Sequence, residues 1–155
     1  MSFRISGLDP APFQHLFGLP EAALAYHGAI RYVADKPVGF PDRIELTDVG
    51  IGQSVLLLNY VFQPAETPYR GSHAIFVREG ATKTYDAINA VPPALRARIL
   101  SIRAFDTGHM MIDADIVDGS ETETLIERLF DNPNAAYLQV HFAKRGCFAA
   151  RVDRN

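Results

Sequence analysis

Cysteine and tryptophan are almost missing from this sequence: Cys147 is the one cysteine in 155 residues, and there is no tryptophan. A single cysteine excludes an internal disulfide and a zinc site built from several cysteines, and it is typical of a reducing compartment. No apolar run approaches the roughly twenty residues that cross a bilayer. The opening MSFRISGLDPAPFQ carries charges where a signal peptide needs apolar residues. We therefore expect a cytoplasmic protein with no membrane partner.

An excess of basic residues is also missing. Fifteen Lys and Arg stand against eighteen Asp and Glu, which gives a formal net charge of −3. This balance argues against nucleic acid as a partner, because binding to phosphate backbones needs a basic surface. The composition, 48% hydrophobic and 21% charged, is that of an ordinary globular protein. With no low-complexity linker, the sequence predicts a single domain over residues 1–155.

Short strand patterns, separated by Gly, Pro and Asp, dominate the chain. They outnumber the helical patterns and do not alternate regularly with them, which favours an α+β fold with a mixed, mostly antiparallel sheet and a few helices packed on it. The run 55–62 is apolar on both faces and is expected to be a central strand covered on both sides. The predicted strands are residues 3–5, 30–34, 43–46, 55–62, 72–78, 100–105, 110–117, 136–142 and 147–152.

Three helices are predicted. The first begins at Pro20, covers residues 22–26 and stops at Gly28, and the second begins at the two prolines 92 and 93. The third is predicted from a capping box, Ser120 followed by Glu123. Its apolar residues fall on one helical face: Leu125, Ile126, Leu129 and Phe130.

The chain is predicted to end in a β-hairpin, and the length of its loop decides the environment of Cys147. A loop of two or four residues places Cys147 on the face of Val140 and Phe142, where it is a small core residue. A three-residue loop, with Gly146 as a left-handed bulge residue, places it on the face of His141 as a potential thiolate nucleophile. We favour the buried, inert thiol.

The richest cluster of polar residues, TPYRGSH at positions 67–73, leads into the apolar strand 74–77. Tyr69 and Arg70 are predicted to bind an anionic group, since a guanidinium can clamp a phosphate or carboxylate in bidentate fashion. His73 is predicted to transfer a proton or orient the group that reacts. From the final hairpin, His141 is expected to converge on this rim as a second catalytic residue and Arg145 as a further ligand-binding residue. The alternative is that these side chains only pair with neighbouring carboxylates.

Asp113 and Asp115 alternate along a predicted strand, so both carboxylates leave the same face. Two adjacent anions can bind a divalent cation, but charges on an exposed strand equally prevent edge-to-edge aggregation. We favour the second interpretation and predict no metal site. The chain contains no GxSxG, Walker-type, HExxH or CxxC motif, and the sequence leaves any cofactor unknown.

Several long segments resemble a bacterial family of unknown function, numbered 1203. They are MSFRISGLDPAPF, VLLLNYVFQPAETPYRGSHAIFVREGA, SIRAFDTGHMMIDADIVDG and YLQVHFAKRGCFAARVDR. The resemblance implies a small, stand-alone cytoplasmic bacterial protein, and it implies no reaction. The tripeptide Tyr69-Arg70-Gly71 is also similar to the aromatic-Arg-Gly segment of one class of ADP-ribosyltransferases, in which the arginine contacts dinucleotide phosphates. The Ser-Thr-Ser strand and Glu-x-Glu turn of that class are missing.

Two hypotheses follow. In the first, the rim at residues 69–73 binds a small anionic molecule, with or without catalysis. In the second, the chain is an interaction module that forms a homodimer through an exposed sheet edge or apolar face. Nucleotide binding of the ADP-ribosyltransferase kind is a remote third possibility.

Overall fold

The computed structural model describes all residues, Met1–Asn155, and contains two antiparallel sheets. The larger has six strands in the order β5-β1-β9-β8-β6-β7, and the smaller has three in the order β2-β3-β4. The strands are β1 Phe3–Ser6, β2 Ile30–Val33, β3 Ser54–Gln63, β4 Gly71–Arg78, β5 Asp86–Ile88, β6 Ile99–Phe105, β7 Met111–Asp118, β8 Tyr137–Phe142 and β9 Phe148–Arg154. The helices are α1 Glu21–Tyr26, α2 Pro93–Arg96 and α3 Thr122–Phe130, with 3-10 helices at Ala11–Leu16 and Gly119–Glu121. The predicted α+β class with a final hairpin is confirmed.

The helices are short. None of them combines the length and the apolar character of a bilayer-crossing helix.

The third predicted strand, residues 43–46, is wrong. These residues form a turn in which the Asp42 carboxylate accepts bonds from the backbone N–H groups of Glu45, at 2.6 Å, and Arg78, at 2.7 Å. Such a side-chain acceptor satisfies donors that a strand would place in a ladder. Leu46 also has a φ of 55°, which lies in the left-handed region and is incompatible with an extended strand.

Strand β3 lies in the middle of the smaller sheet, as predicted. On one face, Leu56 and Leu58 pack with Phe13 of the first 3-10 helix and Leu24 of α1. On the other face Val55 is buried, but Asn59 and Val61 further along are exposed. The prediction of cover on both sides is therefore confirmed at the start of the strand and wrong at its end.

Helix α3 packs on one face of the six-stranded sheet through the four predicted side chains, Leu125, Ile126, Leu129 and Phe130. The predicted capping box is wrong. Asp118 accepts the bond from the Ser120 backbone N–H at 2.9 Å, and the Glu123 carboxylate pairs with Arg96 of α2. Asp118 therefore caps a preceding 3-10 turn, which delays the start of the α-helix to Thr122.

The final hairpin matches the four-residue-loop alternative. The Phe142 N–H donates to the Cys147 carbonyl at 2.9 Å, so Cys147 lies on the core face and is buried. Gly146 has a φ of 76°, a conformation that favours glycine. A bulge follows, because His141 pairs with Phe148 whereas Val140 pairs with Ala150.

Arg43 joins the two layers and is 2% exposed. Its backbone N–H donates to Phe76 of β4 at 3.2 Å, while its Nε donates to the Phe148 carbonyl at 2.8 Å. Its terminal nitrogens donate to the Pro41 carbonyl at 2.6 Å and to Cys147 Sγ at 3.0 Å. Burial lowers the pKa of Arg43 to about 10, so the guanidinium stays charged at neutral pH.

We expect Arg43→Met to lower the free energy of unfolding by about 2–6 kcal/mol, because two buried carbonyls lose their donor and each costs about 1–3 kcal/mol when unsatisfied. The measurement is urea unfolding at neutral pH. Arg4→Met is the matched control, since Arg4 is 45% exposed in its pair with Asp86 and should cost at most about 1 kcal/mol. Equal losses in the two variants would contradict this role for Arg43.

Candidate functional site

The candidate site is built on strand β8, whose two faces differ in character. Leu138, Val140 and Phe142 belong to the core under α3. Tyr137, Gln139 and His141 alternate with them and so point to the other face of the sheet, where they are at most 5% exposed. We call these three residues the buried polar row.

The smaller sheet covers the row and satisfies its polar atoms. Gln63 at the end of β3 donates to the Tyr137 hydroxyl at 2.9 Å, and Gln139 Nε2 donates to the Phe62 carbonyl at 3.0 Å. The Phe62 ring meets the His141 ring edge to face, with centroids 5.0 Å apart. The row is therefore the polar contact between the two layers.

His141 is held between two oxygen atoms. Its Nδ1 lies 3.1 Å from the Gly146 carbonyl, and its Nε2 lies 3.0 Å from Gln139 Oε1. A neutral imidazole has one N–H and can donate to only one of them. One of the two oxygens, the Gly146 carbonyl or Gln139 Oε1, therefore receives no hydrogen bond from His141.

Burial nevertheless keeps the ring neutral. It lowers the pKa of His141 to about 4, and the positive charge of Arg103 contributes in the same direction; the bond to Gly146 opposes them. The charges of His73 and Arg43 also lower this pKa. His141 therefore lies in a positive environment and is uncharged at neutral pH.

Arg103 stands beside the row on β6, opposite Gln139, while Ser101 stands opposite His141. It is half-buried, and this burial lowers its pKa. Its one hydrogen bond runs from Nε to Ser101 Oγ at 3.3 Å. Seven other arginines pair with carboxylates, namely Arg4, Arg31, Arg78, Arg96, Arg98, Arg128 and Arg151. Arg103 has no carboxylate partner.

His73 on β4 is the predicted site residue that approaches this region, since its charge acts on His141. It pairs with Tyr60 in the β3–β4 ladder. Its Nδ1 lies 2.8 Å from the Ala74 carbonyl. Since a carbonyl accepts only, Nδ1 carries the proton, and Nε2 has no partner in the protein.

The remaining predicted residues lie at exposed positions. The Tyr69 ring packs edge to face on Phe105, 6.2 Å between centroids. Arg70 donates to the Pro64 carbonyl within its own loop, and Arg145 is exposed in the loop after β8. The charge of His73 contributes to the lowered pKa of His141, and Arg70 and Arg145 have no carboxylate partners.

Sequence reasoning missed Arg103. The signal was present, because Arg103 interrupts the apolar strand ILSIRAF on the face opposite Ile102 and Ala104, which are fully buried. A charged residue that alternates with core positions in a central strand points to a specific partner. The hydroxyl of Ser101 alone does not neutralise it.

The other candidate groups have structural partners. Asp113 and Asp115 leave one face, as predicted, and each accepts a bond at 3.1 Å from Arg128 of α3. The rings of His15 and His27 lie against each other, with centroids 5.5 Å apart. No group of three or more His, Cys, Asp or Glu side chains is arranged to hold a metal ion.

A cavity of about 180 Å³ adjoins the other side of the row. Gln139 forms part of its wall together with Tyr60 and Arg151. Arg151 is engaged there, because it pairs with Asp153 at 2.8 Å and lies over the Tyr137 ring at 4.1 Å. The unpaired positive charge is therefore on the Arg103 side.

The sequence from residue 39 to residue 154 matches the model of a protein family described as "Protein of unknown function (DUF1203)". The chain belongs to this family. No curated protein and no solved structure matches it. The match includes β3, β4 and β6 to β9, and so every residue of the candidate site in this DUF1203 member.

The pH dependence of stability tests the state of His141. Its folded pKa of about 4 lies below the unfolded value of 6.5, so the unfolded chain binds the proton more readily. The free energy of unfolding should therefore fall by about 3 kcal/mol as pH falls from 7 to 4 on account of this residue.

In His141→Asn this part of the dependence of the unfolding free energy on pH should be lost. The measurement is urea unfolding at several pH values, with His15→Asn, an exposed histidine, as control. An unchanged slope in His141→Asn would contradict a buried neutral ring.

Proposed function

We propose that this protein binds a small anionic molecule at the surface beside Arg103 and His73, with His141 behind them. The observation that carries the proposal is the half-buried Arg103 guanidinium, which has no carboxylate partner. A half-buried cation has lost part of its hydration, and an anion that binds it restores the lost interaction.

The arginines around this surface favour an anion. The two arginines whose charges act on His141, Arg103 and Arg43, are both positive. Arg70 and Arg145, which also have no carboxylate partner, are proposed to contribute from the loops. The chain as a whole is acidic, with a net charge of −3, so this local excess is not a property of the general surface.

His73 has the geometry of a group that can contact the ligand. Its Nδ1 bonds to the Ala74 carbonyl at 2.8 Å, so a lone pair at Nε2 is available to accept a proton or a hydrogen bond. His141 differs, since both of its nitrogens contact protein atoms. We propose that His73 touches the ligand and that His141 positions the row beneath it.

The second candidate function is homodimer formation through the edge of the larger sheet. Strand β7 is an edge strand, and its Ile116 is 66% exposed. Light scattering at high protein concentration tests this candidate. A monomeric mass would count against it, and a dimer that Ile116→Ser dissociates would support it.

A thermal-shift and calorimetric titration with phosphate, sulfate, acetate and AMP tests the proposed binding. At one hundred times its dissociation constant, a ligand raises the stability by about 2.7 kcal/mol. Arg103→Gln should weaken the binding roughly 10- to 100-fold, since hydrogen bonds to a charged group contribute about 1.5–3 kcal/mol.

The matched control is Arg128→Gln, on α3 at the opposite face of the sheet, which should leave the affinity unchanged. Equal affinities in Arg103→Gln and the unmodified protein would place any binding elsewhere. No shift with any anion would contradict the proposal.

A further inference from the structure

Three aliphatic side chains form an exposed surface beside Arg103. Ile99 on β6 is 47% exposed and Ile116 on β7 is 66% exposed. Ala114 is also exposed and lies directly opposite Arg103, while Ser101 separates Arg103 from Ile99 on β6. We call Ile99, Ala114 and Ile116 the apolar shelf.

Over residues 112–116, the alternation of β7 is inverted relative to an ordinary edge strand; at its end, Val117 packs against the core. Its face toward α3 carries Asp113 and Asp115, which bond to Arg128. Its open face carries Ile112, Ala114 and Ile116, and it ends at Asp118, the partner of Ile99. A strand that covers a core on one side normally exposes polar residues on the other, so the open face of β7 has the composition of a contact surface.

The strand register places the shelf next to the unpaired cation. Ala114 is the direct partner of Arg103, and Ile116 is the partner of Ser101. Directly opposite side chains of an antiparallel pair have Cβ atoms about 4.5–5.5 Å apart, and diagonal neighbours lie within about 8 Å. A single small molecule can therefore touch the Arg103 guanidinium and the shelf together.

We infer that the ligand is an anion with an apolar body, such as an alkyl or aryl carboxylate or phosphate. Its charged group binds Arg103 and its apolar part lies across the shelf. This inference rests on the proposed anion binding at Arg103 and adds the chemical class of the ligand. A second copy of the chain fits the shelf less well, because three aliphatic side chains are far less than the roughly 800 Å² per partner of a stable interface.

A homologous series of carboxylates measures the role of the shelf. Calorimetry with acetate, butyrate, hexanoate and octanoate should show an affinity that rises about twofold to fourfold for each added methylene, as expected for partial to full burial of that group. Ile116→Ser should flatten this series and leave acetate and inorganic phosphate unaffected. Ile88→Ser is the matched control, because Ile88 is also 47% exposed but lies on β5 at the far edge of the same sheet.

The outcomes separate the two proposals. Arg103-dependent binding with no dependence on chain length would overturn the amphipathic ligand and leave the proposed anion site intact. Binding that rises with chain length equally in Arg103→Gln and the unmodified protein would overturn both. A dimer that Ile116→Ser dissociates, without binding of any carboxylate, would show that a second copy covers the shelf.

Discussion

The burial of Arg43 is the constraint on which the relation between the two sheets depends. Its backbone belongs to the turn beside β4, and its guanidinium ends on the carbonyl of Phe148 and the sulfur of Cys147 in the final hairpin. A buried guanidinium must donate its hydrogen bonds to fixed acceptors. The ends of this side chain therefore determine how the smaller sheet lies on the larger one, and the Phe142 ring at 4.8 Å completes its surroundings.

The same packing creates the candidate site, since the smaller sheet covers only part of the larger one. Phe62 and Gln63 cover the buried polar row on β8, whereas the open face of β6 and β7 continues beyond them. Arg103 stands where the covered part meets the open part. On one side it borders the buried polar row, and on the other it borders the exposed aliphatic residues of β7.

Much of the architecture could be predicted from local pattern. The face of α3, the β6–β7 hairpin and the final hairpin follow from periodicity and turn residues. The turn at residues 43–46 could not be predicted, because the Asp42 side chain bonds to Arg78, which is distant along the chain.

Arg103 was missed for a similar reason: the role of an arginine in a strand can be interpreted only when its neighbours on β7 and β8 are known. His73 was predicted from the polar cluster at residues 67–73 and His141 from its place in the final hairpin, but the residues that cover His141 are a property of the layer packing.

The bulge in β9 has a consequence for how the strand can change in evolution. Phe148 faces the polar row and Ala150 faces the core, with Ala149 as the extra residue between them. The tip of the hairpin and the rest of the strand are therefore out of phase by one residue. Loss of one of the two alanines at positions 149 and 150 gives the same sequence in either case, and it would preserve the facing of both parts. The bulge is thus a point in this strand at which the chain length can vary without inverting the sheet.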